Sequence, residues 1–338
     1  MTANLQPAAP ILRCLPPTLT GGGYLLLEPA AFDDGGLVAT LNLTWCSPIN
    51  WGKDLAGLPA LVDLARCDAW QKEWLASVLD AEHVIRQSKP LTRTGIGAYI
   101  EAPVSLDELA GHLANRLLVL PIHKSGNRSP GGALWRFFDP RVFANLCWML
   151  APGMLTALTE HVSGWSFPWL NGWFRFDAVT GHSSVADMEP LALLQERSDE
   201  FTRIDIDVWD RAQRISSINQ VLARIDLPAE LSWEQQAALA ARVESALVAA
   251  EHRLHWDQRE DRVRYAEYAV RYGPAFVAHP KLSDSWAQLE ARTVFMNWAE
   301  LIALLTPEEH QALASHAVDQ DGTQGGRPVP NQTPTRRT

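Results

Sequence analysis

With 338 residues, 47% hydrophobic and 20% charged, the chain is long enough to bury a sizeable core and, by length, to form about two domains. Its 39 acidic against 29 basic side chains give a formal net charge of -10, which repels a phosphate backbone and argues against nucleic acid as a partner. No apolar run approaches the ~18 residues of a membrane span, and residues 1–17 lack the basic start and apolar run of a signal peptide, so a cytoplasmic protein without stable membrane insertion is expected.

Residues 1–19 are proline-rich and read as a flexible N-terminus, followed by Gly21-Gly22-Gly23. Tyr24-Leu25-Leu26-Leu27-Glu28 is short and apolar, as a buried strand would be. From Leu37 to Trp45 the residues alternate, with Leu37, Ala39, Leu41, Leu43 and Trp45 on one face, which predicts a second strand. Residues 69–86 read as a helix and 95–101 as a strand. Ser105 is placed to cap a helix, because Glu108 can return a hydrogen bond to its N–H; Leu106, Leu109, Ala110 and Leu113 supply the buried stripe.

The stretch 117–138 predicts two strands, LLVLPI and ALWRFF, joined by a polar, glycine-containing loop. The second strand is expected to run directly into Asp139-Pro140. Asp139 has the oxygen an N-cap needs, and Pro140 suits the first helical position, where a missing N–H costs nothing. Phe143, Leu146, Cys147 and Leu150 then form the apolar face of a helix stopping near Pro152-Gly153.

Beyond a linker at 181–204 the strand signals give way to helical periods. One stripe is Val208, Ala212, Ile215, Ile218 and Leu222; a second, capped by Ser232 with Gln235, runs from Leu239 to Leu254. A third joins Trp286, Leu289, Thr293 and Met296, and Thr306-Pro307-Glu308-Glu309 starts a last short helix. Residues 318–338 hold too few apolar side chains to offset the entropy of ordering and are expected to be disordered. The expected fold class is therefore α+β: a sheet domain with covering helices over 20–180, then an all-helical lobe over 205–317.

Candidate chemistry is sparse. Gly21-Gly22-Gly23 precedes a strand, whereas a phosphate loop follows one, so a flexible lead-in is the better reading. His252 and His255 lack the HExxH order and a third ligand in sequence, which fits a solvated helix face. Asp205 and Asp207 suit the positive end of a helix better than a metal, and Gly181-His182-Ser183-Ser184 lacks the second glycine of a nucleophile elbow. Cys14, Cys46, Cys67 and Cys147 show no ligand spacing and read as free buried thiols. Neither a cofactor, a metal site nor catalysis is expected. The 14 tryptophans fill cores or anchor interfaces, two uses that sequence does not divide.

The segment from Ala133 to Val142, ALWRFFDPRV, resembles the signature of a family first catalogued as a domain of unknown function, whose members are encoded beside type VI secretion effectors. The resemblance extends upstream through Tyr24–Glu28, Leu58–Val62, Gly95–Ile100 and Leu106–Leu109, and downstream to Trp165 and Trp173, covering roughly 20–176. The stretch from Tyr268 to Phe276 with His279-Pro280 looks like the helical tail of many members. Phe138 stands where the family often has Tyr, and Glu28 where it often has Asp.

What the resemblance implies is a non-catalytic adaptor or chaperone of bacterial type VI secretion. It would hold the N-terminal region of a cognate effector and load it onto a VgrG-type spike. The residues it singles out for protein binding are Trp135, Arg136, Phe137, Phe138, Asp139 and Arg141. Asp139 also has a cap to make, Arg136 has Asp139 within reach as a partner, and one of Phe137 and Phe138 must face the core if both lie on a strand. An enzyme with a dispersed site, such as a hydrolase, and a structural baseplate or tail component are the alternatives.

Overall fold

A computed structural model describes residues 11–32, 38–49, 51–52, 54–122, 132–170, 172–177, 202–228 and 231–313. They form an α+β unit followed by a helical one, with the division between Ala240 and Ala241.

The first unit is built on a seven-stranded antiparallel sheet in the order β1-β9-β8-β5-β2-β4-β3. Its strands are β1 (Ile11–Cys14), β2 (Tyr24–Leu27), β3 (Thr44–Trp45), β4 (Ala60–Asp63), β5 (Ile96–Glu101), β8 (Gly164–Trp169) and β9 (Gly172–Asp177). Alternation along each strand divides the side chains between two faces. Leu25, Leu27, Val62, Ile96 and Trp173 join Leu75 and Leu79 of helix α1 (Ala69–Ser88) in one core. On the other face, Phe143 of helix α3 (Pro140–Met149) stacks on Trp165 at 4.5 Å and meets Phe167 edge-on at 5.1 Å.

Local chemistry sets the helix ends. Asp68 and Gln71 form a capping box at the start of α1, as Ser105 and Glu108 do for α2 (Leu106–Leu117). Asp139 caps α3 and Pro140 opens it. A short helix α4 (Pro152–Leu158) leads by a turn into β8.

A second, three-stranded sheet runs β10-β6-β7, with β6 (Leu118–Ile122) antiparallel to β7 (Ala133–Leu134) and parallel to β10 (Thr202–Asp205). Asp205 then caps α5 (Ile206–Leu222), whose Ile215, Ile218, Val221 and Leu222 are buried. Polar links fasten α5 to α3: Asn145 donates to Oδ1 of Asn219 at 3.1 Å, and Arg211 to the Met149 carbonyl at 2.9 Å.

Helix α6 (Trp233–His252) starts after Ser232, which accepts from the Gln235 N–H at 3.3 Å. Near its start, Trp233 packs on Phe167 and Phe174 of the sheet. The second unit holds the rest of α6 with α7 (Arg259–Val277), α8 (Pro280–Glu290), α9 (Trp298–Ile302) and a helix over 307–313, here α10. Its core is an aromatic cluster of Trp256, Tyr265, Phe276 and Trp298 with Tyr268 and Trp286 packed against it. Gly273 breaks α7 at φ 56°, a left-handed value glycine adopts without a β-carbon clash.

Several expectations are revised. Residues 11–14, expected to be flexible, supply an edge strand of the sheet. The alternation from Leu37 to Trp45 is mostly not a strand: Leu41 is buried, but the backbone bonds locally, Leu41 N–H to Val38 and Leu43 N–H to Leu41, and only Thr44–Trp45 pairs. One-sided burial produces the same alternation as a ladder. The strand expected over ALWRFF ends at Leu134. Thr293 and Met296 lie beyond the end of α8. The helical unit begins at 241 rather than 205, because α5 packs in the sheet unit. The 123–131 loop, Gly181–Ser184 and the 318–338 tail lie outside the described residues.

Candidate functional site

β7 leaves its sheet after Leu134, with one further bond from the Trp135 N–H to the Leu117 carbonyl at 2.7 Å. The Asp139 N–H then bonds the Arg136 carbonyl at 3.0 Å, closing a turn over Arg136–Asp139. A turn abolishes the in-and-out alternation of a strand, so Phe137 and Phe138 are both fully buried. Trp135 is buried as well and meets Phe137 edge-on. These three aromatics, singled out for protein binding, are buried in this fold and pack the turn.

Gly97 lets the turn sit this low on the sheet. A β-carbon there would lie 2.4 Å from the Phe138 carbonyl oxygen and 3.3 Å from that of Leu26. Only glycine leaves room for that approach.

Asp139 is buried and fully used. Its Oδ1 accepts from the Arg141 backbone N–H at 2.9 Å and Nε at 3.0 Å, and its Oδ2 from Nη2 at 2.6 Å. Arg141 also donates to the Leu91 carbonyl at 3.2 Å. Burial works against its charge, but the Asp139 carboxylate more than offsets this and holds the guanidinium above its usual range.

Arg136 pairs with Glu28, not with Asp139. Glu28 directly follows β2, is buried, and bonds its own N–H to the Gly95 carbonyl at 2.8 Å. Its carboxylate also accepts from Arg93 Nη2 at 2.6 Å and Nε at 3.2 Å, a contact that pushes the Arg93 guanidinium up from its usual value. The Arg136 guanidinium lies over the Phe138 ring, 5.1 Å from its centre.

Three guanidiniums and two carboxylates thus converge, with one positive charge in excess. The buried members are the carboxylates; the Arg93 and Arg136 side chains keep 45% and 38% of their exposure. Half-exposed guanidiniums on a rigid base have spare N–H groups for an acidic group from outside. Sequence reading missed the role of Arg93, which no local motif marks, and it valued Glu28 only for its place in the resemblance.

The other candidates resolve into structural roles. Asp205 accepts from the Asp207 N–H at 2.8 Å as a cap. His255 takes a hydrogen bond from Arg292 at 2.9 Å. Burial pushes the Cys46 thiol up to about 12 and that of Cys147 well above its usual value, which keeps both protonated. A cavity of about 530 Å³ is lined by Trp45, Asp63, Arg66, Cys67, Gln71 and Leu106 among others. There, burial raises the Cys67 thiol, Asp63 holds Arg66 at 3.2 Å, and the Gln71 amide donates to the Thr40 carbonyl, so the polar groups serve the wall. No helix among the described residues is long and apolar enough to cross a membrane.

Searches against protein-family models, curated proteins and solved structures give no match for this chain.

Proposed function

We propose that this chain is a non-catalytic adaptor that binds the N-terminal region of a type VI secretion effector and presents it to a VgrG-type spike. The reading starts from the resemblance carried by ALWRFFDPRV. One observation supports it most: the part-exposed charged groups of that segment are arginines, held on a turn whose aromatic and acidic side chains are buried. Such a platform suits recognition of an acidic or carbonyl-rich segment, because guanidiniums fixed by packing lose little freedom when they bind.

The binding residues are accordingly Arg136 and Arg93, positioned by Glu28; Asp139 with Arg141, and Trp135, Phe137 and Phe138, keep the turn in shape. The cargo and the spike protein are identified by co-expressing the chain with the products of neighbouring genes, followed by affinity capture and an effector solubility assay. The expected result is stoichiometric co-purification and an effector that is soluble only in the presence of the chain. Replacing Arg136 by Ala, which leaves Arg93 paired with the buried Glu28, is expected to weaken capture at least ~10-fold, as for loss of a central charged contact, with the fold intact by circular dichroism. An effector equally soluble alone, with nothing co-purifying, would overturn the adaptor reading in favour of a dispersed-site hydrolase or a tail component.

A further inference from the structure

At another place in the sheet unit, α2 and the turn between α4 and β8 bring together two imidazoles and a carboxylate. His112 is buried on α2; Glu160 and His161 are exposed in the turn. One ligand atom from each lies within 4.8 Å of the other two. The two rings meet edge-on with centres 5.3 Å apart.

Two further features accompany this cluster. Nε2 of His112 lies 3.1 Å from the Leu158 carbonyl oxygen. A carbonyl only accepts, so Nε2 carries the hydrogen and the lone pair stays on Nδ1, in the carbonyl–imidazole arrangement that orients metal-binding histidines. His161 also holds a backbone φ of 70°, a left-handed value uncommon outside glycine that histidine adopts more readily than most residues.

We infer that His112, Glu160 and His161 are three ligands of a divalent transition-metal site, with zinc the ion their chemistry fits. Two imidazoles and one carboxylate suit zinc, whereas calcium and magnesium take mainly oxygen ligands. Ligands of a tetrahedral ion at bonds of about 2.1 Å stand roughly 3.4 Å apart, so the two exposed side chains close by about an ångström or slightly more while His112 stays in place. Part-buried Arg116 touches the exposed Glu160 at 3.4 Å, a long contact that the carboxylate exchanges at modest cost. The fourth position is open to water. A bound ion would pin the α4–β8 turn to α2, independently of any cargo at the arginine turn.

The test uses the full chain, stripped with a chelator and titrated with zinc alone by calorimetry and thermal melts, with cobalt as a spectroscopic substitute. One ion per chain, a raised melting temperature and tetrahedral cobalt bands are expected. His161→Asn, in which Asn tolerates the left-handed backbone, and Glu160→Gln are expected each to weaken binding at least ~10-fold without altering the metal-free melt. Both replaced side chains are exposed, so folding survives, which the buried His112 would not guarantee. Absence of saturable one-to-one binding overturns the site, and so does zinc affinity unchanged in both variants, since the ion would then be held elsewhere.

Discussion

The two faces of the seven-stranded sheet are covered by one principal helix each, yet they are built on different chemistry. The α3 face is apolar, with Phe143, Trp165 and Phe167 in ring contact. The α1 face carries ionisable groups into its core. Glu82 accepts from the Gly95 N–H at 2.6 Å and the Ile96 N–H at 3.3 Å, and Arg86 lies 3.7 Å from it with its ring-side cation 5.6 Å from the centre of Trp173. Both terminal nitrogens of the buried Arg86 lack a hydrogen bond among the described residues. The difference teaches that an apolar face is stabilised at any pH, whereas a face holding a buried ion pair offsets desolvation only in part and becomes pH-dependent.

The largest effect should come from breaking the apolar face. Phe143→Ala removes a fully buried ring from the stack with Trp165 and is expected to cost roughly 3–5 kcal/mol in chemical denaturation, nearly independent of pH. Gly97→Ala drives a methyl group into the Phe138 carbonyl and is expected to cost about 2–3 kcal/mol while displacing the arginine turn, read by denaturation and by loss of cargo capture.

The pH dependence sharpens the other face. Burial pushes Glu82 up to about 7 from 4.5, despite the two N–H groups and Arg86. Between those values the folded chain keeps a proton that the unfolded chain has lost, so the contribution of Glu82 to stability falls as pH rises through that window. Glu82→Gln removes this dependence: relative to wild type, the variant is expected to gain on the order of 2–3 kcal/mol between pH 4 and 8, measured by urea titrations at each pH. A constant difference across that range would mean that Glu82 ionises normally in the fold.

Smaller effects are expected at the arginine turn. Asp139→Ala removes a helix cap together with the Arg141 pair and should cost about 1–2 kcal/mol. Arg136→Ala should cost below about 1 kcal/mol, because its side chain is more than a third exposed and Arg93 still serves Glu28, so any large loss of capture reports binding rather than folding.

Much of the fold was legible wherever a local rule operates within a few residues. The Ser105–Glu108 capping box, the Asp139-Pro140 helix start, the 69–86 helix and the stripe of α5 follow from hydrogen-bond geometry and periodicity alone. The candidate site was legible in one stretch of sequence, ALWRFFDPRV, but its organisation was not. Sequence proximity offers Asp139 as a partner for Arg136, whereas Glu28, distant in sequence, holds it together with Arg93.

What the sequence by itself determined was the class of fold, most of the helices and the apolar faces they bury, because caps, turn formers and periodic stripes act locally. The tertiary structure alone decided which of those faces meet, that Ile11–Cys14 and the Gly164–Trp169 and Gly172–Asp177 strands complete the sheet, and which carboxylate each arginine finds. Strand pairing and long-range ion pairs join residues tens of positions apart, and their energies depend on burial and distance that no short window of sequence contains.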